Sequence, residues 1–137
     1  MTKVSEKLFL GSLDDADQLA VRNSQTIKTV VVLCADKPES ISKGIRYVHI
    51  PVSDAQPIPR ALFDSVMSAI EDGVKVGRVL VSCVAGMSRS PSLLAAYLHR
   101  TGFLDFDDAI GHLKKLRAVV NPSNVLVKSI KEHLRNG

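Results

Sequence analysis

The chain has 137 residues and a formal net charge of +4, with 45% hydrophobic and 23% charged residues. That balance suits one folded domain, residues 1–137, around a single core, and excludes a disordered chain. No apolar run approaches the ~20 residues of a membrane-spanning helix. The N-terminal segment lacks the apolar stretch of a signal peptide, and two cysteines, Cys34 and Cys83, are too few for a disulfide scaffold. A cytoplasmic (intracellular) setting is expected. The mild positive charge favours anionic partners, whereas 4% aromatics and no Lys/Arg block argue against nucleic acid.

Short apolar runs alternate with longer amphipathic ones. Lys7-Leu8-Phe9-Leu10 reads as a strand closed by Gly11-Ser12, and residues 14–21 as a helix with acidic residues at its favourable N-terminal end. Thr29–Cys34 is a β-branched run of the kind buried in a parallel sheet. Arg46–Ile50 is a strand stopped by Pro51, and residues 59–71 carry apolar side chains at helical spacing. Val79-Leu80-Val81 is a strand running straight into Cys83. Ser90, followed by Pro91, is read as the N-cap of a helix through Tyr97. Amphipathic segments over 106–116 and 125–134 complete the chain. The fold class predicted is α/β, with a central, mostly parallel sheet of about 4–5 strands flanked by helices.

The segment with chemical content is Ser82-Cys83-Val84-Ala85-Gly86-Met87-Ser88-Arg89-Ser90. A strand ends at the cysteine, a helix starts after the arginine, and Gly86 frees the intervening backbone to aim successive N–H groups inward. Such a turn makes a nest of amide dipoles at a helix start, which is a phosphate site. The Arg89 guanidinium can grip two phosphate oxygens. The same field favours the Cys83 thiolate over its thiol and turns a buried cysteine into a nucleophile.

Residues Ser82 to Ser90 resemble the signature loop of the dual-specificity subgroup of protein tyrosine phosphatases. Phe9-Leu10-Gly11-Ser12, Ile50-Pro51-Val52-Ser53-Asp54 and Val120-Asn121-Pro122-Ser123 are similar to three further landmarks of that family, in family order. The resemblance implies a metal-free and cofactor-free hydrolase of phosphomonoesters that works through a phosphocysteine. Cys83 would be the nucleophile, and Val84, Ala85, Gly86, Met87, Ser88 and Arg89 the phosphate cradle. Asp54 is the implied general acid; it also suits a turn cap beside the prolines, and Asp36 is a rival acid at another strand end. Ser90 would bond the departing thiolate, and Ser88 would bond within the loop and shape it.

The resemblance further implies that Cys34 can pair reversibly with Cys83, a buried structural thiol being the alternative. A monomer acting on a phosphorylated protein is expected. A phosphoinositide or RNA 5′-phosphatase and a catalytically weak phospho-binding module are the other readings. Two departures stand out: Ser82 occupies the position where the family usually has His, and Ser123 stands at a late Asn. They imply slower or pH-shifted catalysis rather than its loss. Arg60, Lys114, Lys115 and Arg117 are read as a solvated helix face or as attractors of an anionic substrate.

Overall fold

Three aliphatic runs build the middle of a five-stranded sheet, ordered β1-β2-β5-β3-β4 in the computed structural model, which describes residues 1–102 and 104–136. The strands are β1 (Thr2–Lys3), β2 (Leu8–Ser12), β3 (Ile27–Val32), β4 (Arg46–His49) and β5 (Arg78–Cys83). β1 pairs antiparallel with β2, and every other pairing is parallel. The expected mostly parallel sheet is therefore present. Its central strand is the one that ends at Cys83, with Val79, Leu80 and Val81 fully buried between β2 and β3. Open parallel sheets receive ligands beyond the carboxyl ends of their strands, and β5 delivers its last residue there.

The helices are α1 (Leu13–Gln18), α2 (Arg60–Val76), α3 (Arg89–Arg100), α4 (Phe106–Leu116) and α5 (Asn124–Arg135). α3 packs against β5, α4 and α5, so the first turn of α3 is held by the core rather than by its own propensity. Several boundaries differ from the sequence reading. α1 stops at Gln18, three residues short of Val21, and starts from a capping box in which Ser12 and Asp15 exchange hydrogen bonds. α2 runs on to Val76 instead of ending near Glu71. Gly73 sits inside it because a Cβ there would lie 2.7 Å from Val79 Cγ2, so only glycine lets the helix lie this close to the sheet. No helix among the described residues is long and apolar enough to cross a membrane.

Candidate active site

Between Cys83 and α3, the chain turns through a loop whose carbonyls all face outward. Val84 O accepts from the Leu13 N–H at 3.2 Å, and Met87 O from the Asn121 N–H at 2.8 Å. Ala85 O and Gly86 O each accept from the Arg117 guanidinium at 3.1 Å. Ser88 O accepts from Ser92, through the backbone N–H at 3.0 Å and the hydroxyl at 2.6 Å. In a trans peptide the N–H points opposite to the preceding carbonyl. Five outward carbonyls therefore turn the N–H groups of Ala85, Gly86, Met87, Ser88 and Arg89 toward the inside, which creates an anion nest. Gly86 makes the reversal possible: its φ of 66° is left-handed, and a Cβ would fall 2.7 Å from Gly11 O.

Cys83 lies at the floor, 2% exposed. Its Sγ is 3.1 Å from Ser90 Oγ and receives the Ser90 N–H at 3.4 Å. Asp54, Val84, Ala85, Met87, Ser88 and Arg89 complete a cavity of about 190 Å³ above it. Asp54 is exposed, and its Oδ1 accepts from the Ser88 hydroxyl at 2.8 Å and from the Ala55 N–H at 3.0 Å. The Ser88 oxygen in turn accepts from the Ser123 N–H at 2.9 Å. With a lone pair committed to that amide, the Ser88 proton is free to point at Asp54. Arg89 donates to Val52 O at 3.3 Å and so ties the loop to the segment carrying Asp54.

Of the residues singled out in the sequence, Asp54, Cys83, Val84, Ala85, Met87, Ser88 and Arg89 line one cavity and Cys34 does not; two local readings are corrected. Ser90 is not the helix cap: α3 begins at Arg89 after Ser88, and Ser90 lies in the first turn facing Cys83, because the loop tightens directly into the helix. Ser88 bonds outside the loop, to Asp54 and Ser123, rather than within it. Asp36 stands apart from the cavity and meets Cys34, whose Sγ donates to Asp36 O at 3.4 Å. Burial pushes the Cys34 thiol up, and the Arg89 charge opposes that only in part. The Ser82 hydroxyl is fully buried and has no hydrogen-bond partner among the described residues.

Arg117 is the residue that sequence reasoning missed. It is half-buried and spends its guanidinium on two loop carbonyls and Thr2 Oγ1 at 3.1 Å. The signal lay in its position just before Val120-Asn121-Pro122-Ser123, but the neighbouring Lys114 and Lys115 made it read as part of a solvated face.

The family model described as the dual specificity phosphatase catalytic domain matches residues 8–136. A probable dual specificity protein phosphatase of Dictyostelium discoideum is 29% identical over 134 residues, spanning 97% of this chain and 34% of the relative. Dual specificity protein phosphatase 18 of Mus musculus is 31% identical over 127 residues, which is 90% of this chain and 67% of the relative. The chain thus spans between one third and two thirds of the length of these two relatives. Among solved structures, human DUSP28 superposes with a TM-score of 0.85 at 25% identity, covering 99% of this chain and 96% of the other.

Proposed function

The chain belongs to the dual specificity phosphatase family, and from that premise we propose that it hydrolyses phosphomonoesters on protein side chains through a phosphocysteine at Cys83. The observation that carries this reading is the outward turn of five consecutive carbonyls, which leaves five N–H groups and Arg89 for the equatorial phosphate oxygens. Cys83 attacks phosphorus in line and the ester oxygen leaves. Oδ1 of Asp54 already takes two donors, so Oδ2 is the atom that carries the proton to the leaving oxygen. Water then attacks the phosphocysteine with Asp54 as base, and the Ser90 hydroxyl stabilises the departing thiolate.

Substrate class follows from the rim. Val84 and Met87 are 56% and 39% exposed, which gives a low apolar lip that accepts short and long phosphorylated side chains alike. Among the described residues lining the cavity, Arg89 is the one cation, a thin charge set for a polyphosphate head group or an RNA 5′ end. Cys34 lies two residues beyond β3, which pairs with the strand that ends at Cys83. That nearness supports a second role for it, a reversible disulfide with Cys83. Hydrogen peroxide would take two protons and two electrons from the thiols and be reduced to water. Loss of two hydrogens from the linked peptides is the expected mass change, and independent sulfenic acids would rule the pairing out.

The test of catalysis is hydrolysis of para-nitrophenyl phosphate in EDTA from about pH 4 to pH 8, with wild type against Cys83→Ser. Metal-independent turnover that vanishes in the variant is expected. Tight vanadate binding with no wild-type turnover would instead make the protein a phospho-binding module.

A further inference from the structure

The ends of three helices enclose a second pocket, of about 230 Å³. Arg60 and Phe63 line it from the start of α2, His99 and Arg100 from the end of α3, and His133 and Leu134 from the end of α5. Four of these six residues can carry positive charge, and none of the described lining residues is acidic. The arrangement is built. The Phe63 and His133 rings stack with centroids 5.2 Å apart, and the Arg60 guanidinium lies 5.9 Å from the Phe63 centroid while donating to His133 O at 3.0 Å.

Both imidazoles are held from behind. His133 Nε2 bonds Ile58 O at 2.6 Å, and His99 Nδ1 bonds Leu104 O at 3.0 Å. A carbonyl only accepts, so these nitrogens carry the hydrogens. Among the described residues, the opposite nitrogen of each ring makes no hydrogen bond. The positive charges of Arg60 and Arg100 disfavour a metal ion at the same place. The volume is also below the roughly 300 Å³ at which drug-sized ligand sites begin.

We propose that this pocket binds a phosphate or sulfate dianion group, separately from the catalytic loop. It sits at the opposite end of α3, whose 12 residues span roughly 17 Å. The other charged groups lining the two adjoining pockets are Asp64 and Glu71 on α2, Asp105 and Asp107 at the start of α4, and Lys131 and Arg135 on α5. Asp64 is paired with Arg60 at 3.1 Å and Asp107 with Lys131 at 2.8 Å, so both are already compensated.

Sulfate is the probe, because it stays doubly charged across the pH range in which histidine titrates. Arg89→Ala removes the guanidinium grip of the catalytic loop, and the ring C–H NMR signals of His99 and His133 report the second pocket. Both signals should move saturably with sulfate and stay still with chloride at equal ionic strength. Binding should be about tenfold weaker on adding Arg100→Ala, as for one unit charge beside the anion. Wild type with vanadate in its catalytic loop repeats the titration in case the variant is perturbed. A response that is linear in sulfate, equal in chloride, or indifferent to Arg100→Ala overturns the proposal. Inorganic phosphate and a doubly phosphorylated peptide then separate the sources: tighter peptide binding assigns the site to a second phosphate on substrate, and equal binding to free phosphate.

Discussion

Cys83 and Cys34 are a natural experiment in what makes a thiol reactive. Both are unpaired; Cys83 ends β5 and Cys34 lies two residues beyond the end of the adjacent β3, and they are 2% and 0% exposed. Around Cys83 the nearest polar groups include the Ser90 N–H, which can only donate, and the Ser90 hydroxyl. The Cys34 sulfur instead donates to the Asp36 carbonyl at 3.4 Å, a group that can only accept. Donors hold a thiolate, while a carbonyl holds a thiol. Depth in the fold is the same for both, so under the proposed mechanism the polarity of the neighbours is what distinguishes the two sulfurs.

The widest gap should appear in alkylation. Near pH 7, iodoacetamide is expected to label Cys83 at least about a hundredfold faster than Cys34. Because burial raises the Cys34 thiol, its labelling should grow only above the ordinary thiol range of about 8.5. Equal rates, read by peptide mass spectrometry, would end the comparison.

Gly86→Ala attacks the donor side. Its Cβ would meet Gly11 O at 2.7 Å in a left-handed backbone, so the amides should lose their aim. A fall in kcat/KM of about a hundredfold, with about 1–3 kcal/mol of strain, is expected. Ser90→Ala removes one donor and should slow breakdown of the phosphoenzyme about tenfold, seen as a burst of released phenol before a slow steady rate. Loss of the burst in wild type and variant alike would place the slow step elsewhere.

The smallest effect concerns Asp15. Burial alone would raise this carboxyl, but the Ser12 N–H and the amino terminus hold it below the usual range. Its contribution is therefore present above the ordinary carboxylate value and fades as pH falls through the lowered folded value. Asp15→Asn should cost about 1 kcal/mol of stability at neutral pH and less below about pH 4, by denaturant titration. Activity should fall only slightly, since α1 anchors one loop carbonyl through Leu13.

What the sequence discloses tracks how local the physics is. Strand, Gly86 and helix are contiguous, so the phosphate loop is legible from residues 79–91 alone. Asp54 needed a family likeness, because its partner Ser88 lies 34 residues away. Arg117 was obscured for the same reason, being 31 residues from the carbonyl of Gly86 that it holds. β1 is two residues long and carries no period to detect. Ser90 looked like a cap because Ser-Pro is a common helix start. The tertiary demand of the cysteine moved the start of α3 two residues earlier, with the cap at Ser88 instead of Ser90.

The position of β5 has a further consequence. Edge strands can fray individually, but a strand hydrogen-bonded on both sides by β2 and β3 opens only when the whole sheet does. The amides of Leu80 to Ser82 should then be the slowest in the molecule to exchange with deuterated water. The proposed phosphate cradle hangs from this segment, so it is expected to open only with the sheet as a whole. Catalysis and native structure should disappear in one denaturant transition with one midpoint.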